Sequence, residues 1–90
     1  MKINPNYILR NIAGEHVVVP TGEEGVNFNG IITLNESGKL LFETLKTGVQ
    51  SKDLVDVLIN KYDVNLSQAQ EDVEAFLETL RSKNVLIEDE

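Results

Sequence analysis

Few side chains in this sequence are equipped for chemistry. His16 is the only histidine and there is no cysteine, which removes thiolate metal sites, disulfides and cysteine nucleophiles together. A lone imidazole inside a run of β-branched residues reads as a strand histidine with a satisfied hydrogen bond, and any serine–histidine arrangement would have to use it. The glycines at 14, 22, 25, 30, 38 and 48 fit neither a dinucleotide fingerprint nor a phosphate loop with its following lysine. They read as turn and packing glycines. Carboxylates are plentiful: Glu71, Asp72, Glu74 and Glu78 crowd one late segment, and Glu88, Asp89 and Glu90 end the chain. On a helix the first group makes a solvated face rather than a cleft. No metal, cofactor or catalytic centre is expected, and the sequence points away from an enzyme.

Charge and size narrow the alternatives. Fifteen acidic residues against eight basic ones give a formal charge of −7, which repels nucleic-acid backbones and anionic lipid. Ninety residues, 41% of them hydrophobic, suit a single small domain over residues 1–90 with an economical core. The opening residues, MKINPNYILRNIAGEH, hold no apolar stretch long enough for a signal peptide, and no segment approaches the length of a membrane span. A cytoplasmic protein is the expectation.

The elements that would position any functional residue read in two halves. Tyr7 to Ile12 and His16 to Val19 are short apolar, β-branched runs around Ala13, Gly14 and Glu15, the pattern of a hairpin. A breaker-rich loop from Pro20 to Gly25 leads to a third strand, Val26 to Leu34. On that strand Phe28, Gly30, Ile32 and Leu34 share the face expected to meet the core, with Asn29, Ile31 and Thr33 on the other. Asn35 is placed to cap a helix carrying Leu40, Leu41, Phe42 and Leu45, with Gly48 as its stop. Gly38 in its first turn costs about 1 kcal/mol against alanine and reads as permitting close approach of helix to strand. Ser51 is the expected cap of a second helix bearing Leu54, Val55, Leu58, Ile59 and Tyr62. Ser67 and Gln70 make the expected capping box of a third, with Ala69, Val73, Phe76, Leu77 and Leu80 as its stripe. Val85 to Ile87 reads as a short extended segment lying against the core. The fold class expected is α+β: a winged-helix-like domain in which a three-stranded antiparallel sheet precedes a three-helix bundle.

Four features in this order resemble a known family. They are the late strand ending in Leu34-Asn35, the helix from Gly38 to Leu45 (GKLLFETL), the turn and helix start TGVQSKDLVDVL from Thr47 to Leu58, and YDV at Tyr62 to Val64 leading into DVEAFLETLRSKNVL, Asp72 to Leu86. Over Tyr7 to about Ile87 the chain resembles the PqqD family, named for the small protein of pyrroloquinoline quinone biosynthesis and counted among the recognition elements of ribosomally made, modified peptides. One departure is Phe42, where family sequences often carry tryptophan.

The resemblance implies a non-catalytic peptide chaperone. Such proteins hold the leader of a precursor peptide and present it to a modifying enzyme, often a radical S-adenosylmethionine protein. The leader adds as a strand to the edge of the small sheet, between the third strand and the third helix. Carried onto this chain, the edge is Val26, Asn27, Phe28, Asn29, Gly30, Ile31 and Thr33, and the helix wall is Asp72, Ala75, Phe76, Thr79 and Lys83. An exposed edge strand offers unpaired amides and carbonyls that invite a partner chain, and the same edge can pair with its own copy to give a homodimer. The acids of the third helix favour a leader with lysine or arginine near Glu71, Asp72, Glu74 or Glu78. Two readings of other classes compete. A winged-helix regulator that binds DNA needs a basic recognition helix, whereas this one sets four acids against Arg81 and Lys83. A structural subunit of a larger modifying enzyme would copurify with that enzyme and no peptide.

Overall fold

A computed structural model describes residues 1–21 and 32–88. The expected Gly22 to Gly25 loop, Val26 to Ile31 of the third strand, and the last two acids of the tail lie outside the described residues. The elements are β1 (Lys2–Ile3), β2 (Tyr7–Ile12), β3 (Glu15–Pro20), β4 (Ile32–Leu34), α1 (Glu36–Leu45), α2 (Ser51–Lys61), α3 (Leu66–Ser82) and β5 (Leu86–Ile87). The α+β order of antiparallel sheet and then three helices is the one expected. The sheet runs β2-β3-β4, with Leu9 opposite Val18, and Val18 opposite Ile32.

The hairpin closes on two residues only. Ile12 pairs with Glu15, so Glu15 belongs to the strand, and Ala13 and Gly14 take positive φ angles of 53° and 84°. Two consecutive left-handed residues give the turn whose twist matches that of the flanking strands. Asn11 Oδ1 accepts from the Gly14 N–H at 3.2 Å, which supports the turn from within.

The core forms where the strand and helix periods meet. Ile32 and Leu34 are buried with Thr33 exposed between them, as period-two alternation demands. Leu41, Phe42 and Leu45 of α1, Leu54, Val55 and Leu58 of α2, and Ala69, Val73, Leu77 and Leu80 of α3 are also buried. Their spacing of three and four puts each set on one helix face. Phe42, Leu45, Leu54 and Leu80 are fully removed from solvent.

The helix starts correct two expectations. Asn35 caps α1 as expected, accepting from the Gly38 N–H at 2.8 Å. Ser51, however, is the first residue of α2 rather than its cap. The cap is Gln50, whose own backbone N–H donates to Asp53 Oδ2 at 2.9 Å in a capping box. Nor does Ser67 begin α3: Asn65 caps it, accepting from the Gln68 N–H at 2.8 Å, and the helix starts at Leu66. Asparagine ranks with serine as a cap, and Asn65 stands where the extended chain after Tyr62 must turn.

The end of α3 is fixed by Asn84 at a φ of 62°. The Val85 N–H donates to the Leu80 carbonyl at 2.9 Å and the Asn84 N–H to that of Arg81 at 3.1 Å, the pair of bonds that closes a helix on a left-handed residue. This buries Val85 and leads into β5, which pairs with β1 through Lys2 opposite Ile87 and Ile3 opposite Leu86. The expected extended segment at Val85 to Ile87 is therefore present, and its partner is a strand too short to carry a sequence signal. No described helix is long and apolar enough to cross a membrane.

Candidate functional site

β4 lies at one side of the sheet, and among the described residues nothing pairs with its outer edge. Where the strand ends, Asn35 turns the chain into α1. Its Oδ1 takes both the Gly38 N–H and the Ser37 hydroxyl, the latter at 2.9 Å. Gly38 is needed at this junction. A Cβ there would sit 3.3 Å from Leu34 Cβ and 3.3 Å from Asn35 Oδ1, so the bare backbone lets the helix begin directly beneath the strand.

That junction forms one wall of a groove. Two hollows share Asn35, Ser37, Leu58 and Asp72 along their lining, and so make one continuous depression. The narrower part, about 300 Å³, runs past Gly38 and Leu41 to Ala75 and Phe76 on α3. The wider part, about 460 Å³, runs past Glu36 to Tyr62 and Val64 beyond the end of α2. Tyr62, Val64 and Phe76 are half-buried, each packed against the core on one side and open to the groove on the other. The volume is of the size that holds a ligand, and its floor is apolar.

Among the described residues, the charged side chains that line the groove are two acids, Glu36 and Asp72. Glu36 is exposed and meets His16 of β3, whose Nε2 lies 2.8 Å from Glu36 Oε1. The hydrogen bond from His16, then its charge, holds the Glu36 carboxyl below the usual carboxylate range, and Lys39 adds a smaller pull in the same direction. Asp72 accepts from Gln68 Nε2 at 2.9 Å. Among the described residues there is no cluster of side chains able to hold a metal, and no buried side-chain polar atom lacks a partner.

The family model for coenzyme PQQ synthesis protein D (PqqD) matches residues 15–86. The chain belongs to the PqqD family. Two solved structures are similar to it throughout. One is described as TbiB1 in complex with the TbiA(β) leader peptide, with 23% identity, a TM-score of 0.80, and coverage of 100% of this chain and 99% of that one. The other is described as lasso peptide synthetase B1 complexed with the leader peptide, with 20% identity, a TM-score of 0.76, and coverage of 97% of this chain and 96% of that one. Both likenesses establish the fold. No curated protein sequence matches the chain.

In this PqqD-family chain the residues expected from the sequence divide three ways. Asp72, Ala75 and Phe76 come together on the groove wall. Thr33 is exposed on β4, Thr79 bonds back to the Ala75 carbonyl at 3.1 Å, and Lys83 caps α3, its carbonyl accepting from the Tyr7 hydroxyl at 3.4 Å. None of these three lines the hollows. Val26, Asn27, Phe28, Asn29, Gly30 and Ile31 lie outside the described residues.

Sequence reasoning missed the wide end of the groove. Ser37, Leu58, Tyr62 and Val64 read as cap neighbour, helix stripe and connector, and only the fold brings them together. The nearest signal was the YDV segment quoted for the family resemblance. Of the four acids on α3, Asp72 alone lines this groove; Glu74 borders a separate hollow with Ser51 and Lys52, and Glu78 pairs with Arg81 at 2.7 Å.

Proposed function

We propose that this protein is a non-catalytic recognition element, acting as one domain over residues 1–90. It holds the leader of a ribosomally made precursor peptide and presents it to a modifying enzyme in the cytoplasm, in the first instance a radical S-adenosylmethionine protein. The leader extends the sheet along the edge expected from the sequence at Val26 to Thr33, and its side chains drop onto Asp72, Ala75 and Phe76, with Thr79 and Lys83 continuing the wall. The observation that carries this reading is the groove itself. An apolar depression begins where an open-edged strand ends, which is what strand addition needs: main-chain bonds for affinity and side-chain pockets for specificity. Membership of the PqqD family supports it, as do two similar solved structures that are both leader-peptide complexes. The acidic surface of α3 favours this reading over DNA binding.

The test is a nitrogen–proton correlation spectrum of labelled protein, titrated with leader peptides from precursor genes neighbouring its own. Saturable shifts at Thr33, Asp72, Ala75 and Phe76 are expected, and N-methylation of alternate leader residues abolishes them by removing ladder donors. Binding that leaves those amides unmoved, or that survives N-methylation in either register, overturns the site.

A further inference from the structure

The wider part of the groove, about 460 Å³, is larger than one side chain fills, and it differs in lining from the narrower part. Towards Phe76 the groove is bordered by Leu41, Ala75 and Gly38, with Asp72 as its ionisable residue. Towards Tyr62 the lining is Leu58, Tyr62 and Val64 together with two exposed carboxylates, Glu36 from α1 and Asp72 from α3. Among the described residues no lysine, arginine or histidine lines either part. Lys39 and Lys61 line an adjoining hollow with Leu40 and Glu43, which shares Glu36 and Tyr62 with the wide end.

We propose that the wide end of this groove selects a cationic residue of the bound peptide set beside an apolar one. The apolar side chain lies on Leu58, Tyr62 and Val64, and the ammonium or guanidinium stands at the rim between Glu36 and Asp72. This deepens the peptide-binding reading above and rests on it.

Charge complementarity carries the argument. An ionised carboxylate has about four acceptor sites, so a bond from Gln68 to Asp72, or from His16 to Glu36, leaves room for a second donor. The two acids are not equal. Glu36 shares its field with His16 and Lys39, whereas the hydrogen-bond partner of Asp72, the Gln68 amide, is neutral. Asp72 therefore contributes the larger part of the selection. A long cationic side chain also suits an apolar floor, because its methylene stem can cover Tyr62 while the head stays at the wet rim. An anionic residue at the same place would meet two like charges, and among the described residues the nearest cations, Lys39 and Lys61, lie in the adjoining hollow beyond Glu36 and Tyr62.

The charge preference can be read without knowing the leader. Labelled protein is titrated in turn with phenylbutylamine, phenylbutanol and phenylbutyrate, probes that share an apolar body and differ in the charge of the head. Saturable shifts at Ser37, Tyr62, Val64 and Asp72 are expected with the amine, about 1.5- to fivefold tighter than with the alcohol, as for exposed ion pairs. The acid should bind more weakly than either. The amine's advantage should shrink in Asp72→Asn, persist in Glu74→Gln, and fall with added salt. Equal binding of amine and alcohol, or an advantage untouched by Asp72→Asn, overturns the charge selection. A leader that still shifts Thr33 and Phe76 in that event leaves strand addition standing. Absence of any shift at these four amides with all three probes removes the wide end as a subsite.

Discussion

His16 Nε2 lies 2.8 Å from Glu36 Oε1 and so fastens the middle strand to the first turn of α1. The contact follows from register. His16 stands opposite Leu34 in β4, and Glu36 comes two residues later, so the imidazole reaches past the end of the edge strand to the helix that forms the groove wall.

A pH dependence follows from this pair. The Glu36 carboxyl is lowered chiefly by the hydrogen bond from His16. A carboxylate lowered in the folded state adds stability above its unfolded pKa, about 4.3, and loses it as pH falls through the lowered folded value. In His16→Gln the Glu36 carboxyl carbon should titrate nearer the ordinary glutamate range, and the acid limb of the melting profile should begin less steeply. An unchanged Glu36 midpoint would show that the bond is not made in solution.

The hairpin turn offers a stabilising substitution. Ala13 holds a φ of 53° beside Gly14, a conformation that costs an L-residue with a Cβ roughly 1–2 kcal/mol. Asn-Gly is the preferred pair for such a turn. Ala13→Asn should raise stability by about 0.5–1 kcal/mol, read as a higher urea midpoint at unchanged slope. A lower midpoint would mean that the alanine makes a contact the asparagine loses.

At Gly38 two effects oppose each other. Alanine gains about 1 kcal/mol of helix propensity, but its Cβ falls 3.3 Å from both Leu34 Cβ and Asn35 Oδ1. The first belongs to a buried strand residue and the second is the cap acceptor, so neither yields cheaply, and such overpacking costs about 1–3 kcal/mol. Gly38→Ala should lose about 1 kcal/mol net, with amide shifts at Leu34 and Asn35. Net stabilisation would show that the junction has slack.

Phe76 and Leu77 are neighbours on α3 with opposite duties. Leu77 is 2% exposed while Phe76 is half-buried on the groove. Leu77→Ala should cost about 2–5 kcal/mol of stability. Phe76→Ala should cost less stability and instead weaken leader binding by about ten- to thirtyfold, as loss of an aromatic anchor does. Equal losses of stability with unaltered binding would place Phe76 in the core alone.

The legible parts of the fold were those with a local cause. Asn35 could be read as a cap because it stands where period two gives way to period three to four, and Gly38 because glycine in a first helical turn asks for a reason. The starts of α2 and α3 were less readable. Two polar residues competed at each, Gln50 with Ser51 and Asn65 with Ser67, and Leu66 begins α3 at 55% exposure where an apolar residue would be expected inward. β1 and β5, two residues each, are shorter than any periodicity. The wide end of the groove was hidden for a different reason. Tyr62 and Val64 line the groove together with the first turn of α1, some 25 residues earlier in the chain, and no local pattern records that approach.

The pairing of β1 with β5 makes the backbone nearly circular. Lys2 and Ile87 face one another across a single strand spacing, about 5 Å, although 85 residues separate them. A short flexible join between the two ends would leave the rest of the path undisturbed. The chain could then be cut at the Ala13–Gly14 turn, turning the clasp from a long-range contact into a local one.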